Sequence, residues 1–209
     1  ALIEIAHPDD RQKLIEEAKK VLNAVLDEAK AWLEWKDQEA QNNSEAPAEI
    51  KQNISNDVKA NLGKIDKLRT DISNIKNRLE VGLVFLKMVG SYVELLSDVA
   101  RNTGAMWVHL SNKHITNVEK FEGKLRQAAN KLDNNSEIIS KLDSALSEVA
   151  VAKAKVSTAK AAYEKVKLPG MPLIKFSEGN NNLRAAKNNL IAAAVHLQAA
   201  FKLIVLNNN

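Results

Sequence analysis

The chain has 209 residues, 45% hydrophobic and 27% charged, and its 30 Lys and Arg against 26 Asp and Glu leave a net charge of +4. That hydrophobic share is too high for a disordered chain, and seven Gly and four Pro are too few for a sandwich or barrel that turns every ~8 to 12 residues. With no Cys, a disulfide framework, a thiolate nucleophile, an iron-sulfur cluster and a thiolate zinc site are all excluded. At ~100 to 200 residues per domain, the length points to a single domain over 1–209. The first residue is Ala, so a processed or trimmed chain is expected.

Hydrophobic residues recur every three or four positions almost throughout, which is the helical period. A first helix is expected from Pro8, the favoured first helical position, with Asp9 and Asp10 in its positive first turn. Its apolar face reads Leu14, Ala18, Val21, Val25, Ala29 and Trp32, and Gln41-Asn42-Asn43-Ser44 ends it. Trp32 and Trp35 are three apart and share a face. They either pack an end of the bundle or, exposed, anchor an interface.

A second helix starts near Pro47 and carries the strongest regularity. From Ile65 the series Leu68, Ile72, Ile75, Leu79, Gly82, Leu86, Val89, Val93, Leu96, Ala100 alternates steps of three and four as a heptad seam. Unbroken to Arg101, this helix would be roughly 80 Å long. Gly82 and Gly90 could mark a kink or a close helix crossing, and the run from Val81 to Leu96 reads as a central helix buried on most sides.

Asn102-Thr103-Gly104 is the expected break before a third helix with the face Trp107, Leu110, His114, Val118, Phe121, Leu125, Ala128, Leu132. Asp133-Asn134-Asn135-Ser136 ends it and offers a side-chain cap to a fourth helix running through Ile139, Leu142, Leu146, Val149, Val156, Ala159, Tyr163 and Val166. Residues 167–179, with Leu168-Pro169-Gly170-Met171-Pro172 and the apolar Leu173-Ile174-Lys175-Phe176, are expected to form an ordered loop pinned onto the core. The last helix opens after Asn180-Asn181-Asn182 and presents Leu183, Ala186, Leu190, Ala194, Leu197, Phe201 and Ile204. The expected fold is therefore all-α, an elongated antiparallel bundle of about five helices with one long heptad-patterned member.

Candidate chemistry is sparse. Glu4 and His7 match one Glu-x-x-His, a spacing that a di-iron bundle needs twice, and the Gly residues are too scattered for a nucleophile elbow or a phosphate loop. No cofactor, metal or enzymatic activity is expected. Charge is uneven, with nine Lys and Arg against two acidic residues from Val151 onward, a net +7. Lys153, Lys160 and Lys167 recur every seven residues and with Lys175 form the candidate binding stripe, suited to an acidic polysaccharide or an acidic protein face. Nucleic acid is disfavoured because only Arg184 among the nine is Arg.

The texture of Ala159-Lys160-Ala161-Ala162-Tyr163-Glu164-Lys165-Val166-Lys167-Leu168-Pro169, followed by Asn182-Leu183-Arg184-Ala185-Ala186-Lys187-Asn188-Asn189-Leu190, resembles the helical outer-surface lipoproteins of Borrelia spirochaetes over the last ~50 residues. The resemblance implies a surface-exposed helical bundle that interacts with host molecules, tethered to the outer membrane by a lipidated N-terminal Cys that is lost here. The expected function is a non-catalytic surface or secreted interaction protein of adhesin or antigen type that binds a host macromolecule. A homo-oligomer is compatible with it. The alternative is a helical pore-forming or membrane-acting toxin component, entering a bilayer through Val81 to Leu96 or Leu168 to Phe176.

Overall fold

The computed structural model describes residues 8–207, with side chains over 10–207. Asp9 in the first turn and the Glu4 and His7 pair lie outside the described side chains. Among the described residues the fold is all-α, with five helices: α1 (Pro8–Asn42), α2 (Ala48–Ser73), α3 (Arg78–Ala129), α4 (Ser136–Glu164) and α5 (Pro172–Asn207). The helix count agrees with the sequence pattern, but several boundaries do not. The expected second helix stops at Ser73, and α3 runs unbroken through Asn102-Thr103-Gly104.

The break at 74–77 has a local cause. Asn77 Oδ1 accepts from the Glu80 N–H at 3.0 Å, and the Glu80 carboxylate accepts from the Lys76 N–H at 2.6 Å. This reciprocal capping satisfies orphan donors at the start of α3 and sets its first turn at Arg78. α3 continues through Gly82 and Gly90, and neither marks a close crossing, since a Cβ at either would meet nothing within 4 Å.

Contacts group the chain into two compact units, 1–103 with 167–172 and 104–166 with 173–209. In the first, α1 and α2 run antiparallel: Arg69 pairs with Asp27 at 2.5 Å near one end, and Gln41 donates to Ser55 Oγ at 2.9 Å near the other. The first part of α3 runs back along α2, with Lys64–Glu94 at 2.8 Å and Asn102 donating to Asp57 at 2.6 Å. The core here is Ile15, Leu22, Leu26, Ala29 and Leu33 of α1, Ile54, Val58, Ile65, Leu68 and Ile72 of α2, and Met88, Leu95 and Val99 of α3. The buried stripe of α1 is thus rotated by about one residue from the expected one, leaving Leu14, Val21 and Val25 in solvent. The bulkier Ile and Leu series supplies more apolar area per turn, and that series wins the core.

In the second unit, α3, α4 and α5 run up, down and up. Arg126–Asp143 at 2.7 Å and Lys153–Glu119 at 2.5 Å join α3 to α4, while Asn189 donates to Glu148 and Tyr163 to Asn180, joining α4 to α5. The buried face of α4 is a heptad: Ile138, Leu142, Ala145, Val149, Ala152, Val156, Ala159, Tyr163. On α5, Gly179, Ala186, Ala193 and Ala200 recur every seven residues and are buried, so small side chains on both helices allow close packing. The expected cap at α4 is absent, because Asn135 turns its amide back to the Ala129 carbonyl at 3.0 Å. The expected loop over 167–179 is also shorter, since Pro172 opens α5 as its first helical residue.

Candidate functional site

The second unit holds an aromatic cluster at one end of α3, α4 and α5. Trp107 stacks on Phe176 with ring centroids 5.9 Å apart, and both contact Tyr163. Tyr163 is buried and its hydroxyl donates to Asn180 Oδ1 at 2.7 Å; burial pushes the phenol well above its ordinary value of 10.0. Gly104 and Gly179 bracket this ring, and a Cβ at either would come inside 3.0 Å of it. Gly104 therefore serves ring packing inside a continuous helix and does not break one.

From this cluster an open groove of about 1260 Å³ runs between α3 and α5. Its walls are the apolar stripes that the sequence assigned to the core: Trp107, Leu110, Val118 and Phe121 on α3, and Leu183, Leu190, Ala194, Leu197 and Phe201 on α5. The buried face of this part of α3 is instead Gly104, Met106, Val108, Ile115, Glu122 and Ala129, and of the expected stripe Leu125 is buried with them. The groove exists because α3 and α5 are apolar over arcs wider than their packing consumes.

Two further apolar surfaces face water. By length and composition α5 is apolar enough to cross a membrane, and only 22% of its most apolar 18-residue stretch is buried. Leu173, Ile174, Ile191, Val195, Phe201, Val205 and Leu206 are all exposed along it. In the first unit, Leu79, Leu83, Phe85, Leu86 and Val89 on α3 are also exposed. The expected burial of Val81 to Leu96 on most sides is therefore corrected. Once the helix breaks at Asn74, the seam is no longer carried in register onto α3, and Met88, Leu95 and Val99 take the inner face.

Helical spacing does not carry the four candidate lysines onto one stripe. Lys153 and Lys160 are exposed on α4, but Lys167 lies beyond the helix end at Glu164, so the spacing of seven no longer places it on their face. Lys153 pairs with Glu119 at 2.5 Å, Lys160 with Glu164 at 3.9 Å, and Lys175, on α5, with Glu178 at 2.6 Å. The Lys175 ammonium in turn holds the Glu178 carboxyl below its ordinary range.

On α1 the Lys36 ammonium sits over the Trp35 ring, 3.7 Å from its centroid, and pairs with Glu39 at 2.8 Å. Trp35 itself is 56% exposed, whereas Trp32 is half-buried. Among the described residues no three His, Asp or Glu side chains gather where they could hold a metal ion. No family model, curated protein or solved structure matches the chain.

The basic groove residues Arg184 and Lys187 and the apolar length of α5 were not singled out by the sequence reading. Their signal was present: between Lys187 and Asn207, Lys202 is the only Lys, Arg, Asp or Glu.

Proposed function

We propose that the protein is a non-catalytic helical protein that acts on membranes and enters a bilayer through α5. The exposure of that helix carries the reading: its most apolar 18 residues are only 22% buried, although they would gain by leaving water. A stretch of ~20 apolar residues matches a hydrocarbon core ~30 Å thick. Arg184 and Lys187 flank that stretch on its N-terminal side, where long cationic side chains can reach headgroups. Leu83, Leu86 and Val89 of α3 add a second apolar surface, tethered in water by the Lys87–Asp71 and Lys64–Glu94 pairs to α2. A secreted or surface location is compatible with such an activity.

Dye release from liposomes tests this. Val195 is exposed on α5 and outside the groove, so Val195→Asp leaves the fold intact, while an Asp at the centre of an inserted helix costs about 3 kcal/mol. Wild type is expected to release dye and the variant to lose about 100-fold in activity. Intact liposomes with wild type would refute the reading.

One observation favours a second reading, the adhesin- or antigen-type interaction protein that binds a host macromolecule. Trp35 offers an exposed aromatic surface beside the Lys36 ammonium, the composition of an interface anchor. The likeness to Borrelia lipoproteins supports it as well. A pull-down against host extracellular components in which Trp35→Ala abolishes capture and Lys153→Glu with Lys160→Glu does not would select this surface over the lysines.

A further inference from the structure

The groove between α3 and α5 is positively charged at one end only, with the neutral Asn117 and Gln198 farther along its walls. Trp107 and Asn180 lie at the level of the aromatic cluster, and because α3 and α5 run parallel, equal rise places Ser111 and His114 across from Arg184 and Lys187. Farther along, Val118 and Phe121 on α3 face the α5 wall of Leu190, Ile191, Ala194, Leu197 and Phe201. No acidic residue lines the groove, and among the described residues neither Arg184 nor Lys187 has an ion-pair partner.

We propose that this groove binds one free long-chain fatty acid, its carboxylate at Arg184 and Lys187 and its acyl chain lying toward Phe121 and Phe201. Charge complementarity selects an anionic head, since two unpaired cations with no competing carboxylate sit at one end. From Ser111, across from Arg184, to Phe121 the α3 wall is ~15 Å long at ~1.5 Å per residue. One acyl chain spans half of a ~30 Å bilayer core, about 15 Å, so a single chain plus its carboxylate fills that length. The occupant is a monomeric amphiphile and not a bilayer, because a flat lipid surface meets the convex backs of the helices and cannot line a concave floor. The site belongs to the folded chain in water, since membrane entry of α5 would carry its α5 wall away, and Val195 is not part of it.

The test uses the full chain with Trp32→Phe and Trp35→Phe, which leaves Trp107 as the sole indole reporter. Nitroxide-labelled stearate, kept below its aggregation concentration, should quench Trp107 saturably, with displacement by unlabelled palmitate. A nitroxide near the carboxylate should quench more strongly than one near the methyl end. The methyl ester, and the Arg184→Glu/Lys187→Glu variant, should each bind at least about tenfold more weakly. Ala194→Phe should block binding, and calorimetric titration of wild type with palmitate should give a stoichiometry of one. Equal binding of acid and methyl ester, stronger quenching from the methyl end, or quenching seen only with nitroxide-labelled lipid vesicles would each overturn the proposal. The last of these would leave α5 as a membrane-contacting face only.

Discussion

Gly104 lies against the ring of Tyr163, with no room for a Cβ between them. The same ring is met from α5 by Gly179. Gly104→Ala and Gly179→Ala each force the ring or a helix to move, an overpacking cost of about 1 to 3 kcal/mol that outweighs the ~1 kcal/mol helix-propensity gain of Ala. At Gly82 and Gly90 the surrounding space is open, so Ala there should stabilise by up to about 1 kcal/mol each. Denaturant melts of the four variants should separate into these two signs.

Tyr163 also makes the second unit sensitive to alkali. Burial raises its phenol above the ordinary value of 10.0, so the unfolded chain gives up this proton first as pH rises. Its contribution to stability is present in full below pH 10.0 and is lost as pH climbs through the raised folded value. Tyr163→Phe should cost about 1 kcal/mol at neutral pH through loss of the hydrogen bond to Asn180. It should also flatten the decline in stability above pH 10.0, measured by denaturant melts at a series of pH values.

Asp57 carries the same sign at the acid end. Burial raises its carboxyl, the Asn102 amide partly offsets this, and the Asp98 charge adds to the rise. Stability from this group is complete below its ordinary value of 3.8 and falls as pH rises through the folded value. Asp57→Asn should therefore be more stable than wild type at pH 7, with the advantage fading as the solution is acidified. An advantage that stays constant with pH would place its origin elsewhere.

The register of α3 can be tested with two leucines. Leu86 is 66% exposed although it falls on the apparent heptad seam, whereas Leu95, off that seam, is buried. Leu86→Ala should change stability by no more than about 0.5 kcal/mol. Leu95→Ala should cost about 2 to 5 kcal/mol. Reversed magnitudes would restore the continuous seam.

The all-α class, the helix count and the Leu142, Val149, Val156, Ala159 and Tyr163 part of the inner face of α4 were legible because each rests on local period. Which of two adjacent stripes is covered was not. On α1 both Leu14-Val21-Val25 and Ile15-Leu22-Leu26 satisfy helical spacing, and only the position of α2 decides between them. The same ambiguity hid the groove, whose walls are the stripe of α3 that packing leaves largely uncovered and the flank of an α5 stripe of which Ala186, Leu197 and Ile204 are buried. The break before α3 could have been found, since Asn77-Arg78-Leu79-Glu80 has the spacing of a helix-capping pair. The heptad pattern masked it by continuing through Ile75 and Leu79. Gly104 and Gly179 looked like interruptions because the ring they accommodate is contributed by α4. The helical spacing behind the lysine stripe ends with α4 at Glu164, ahead of Lys167.

Because the chain has no Cys, Val195→Cys provides a unique attachment point for an environment-sensitive fluorophore on the exposed apolar face of α5. On addition of liposomes its emission should shift to the blue and be quenched by lipids carrying nitroxides deep in their acyl chains, as the helix leaves water for hydrocarbon. Emission that keeps its position and intensity with both anionic and zwitterionic liposomes would contradict membrane entry through α5.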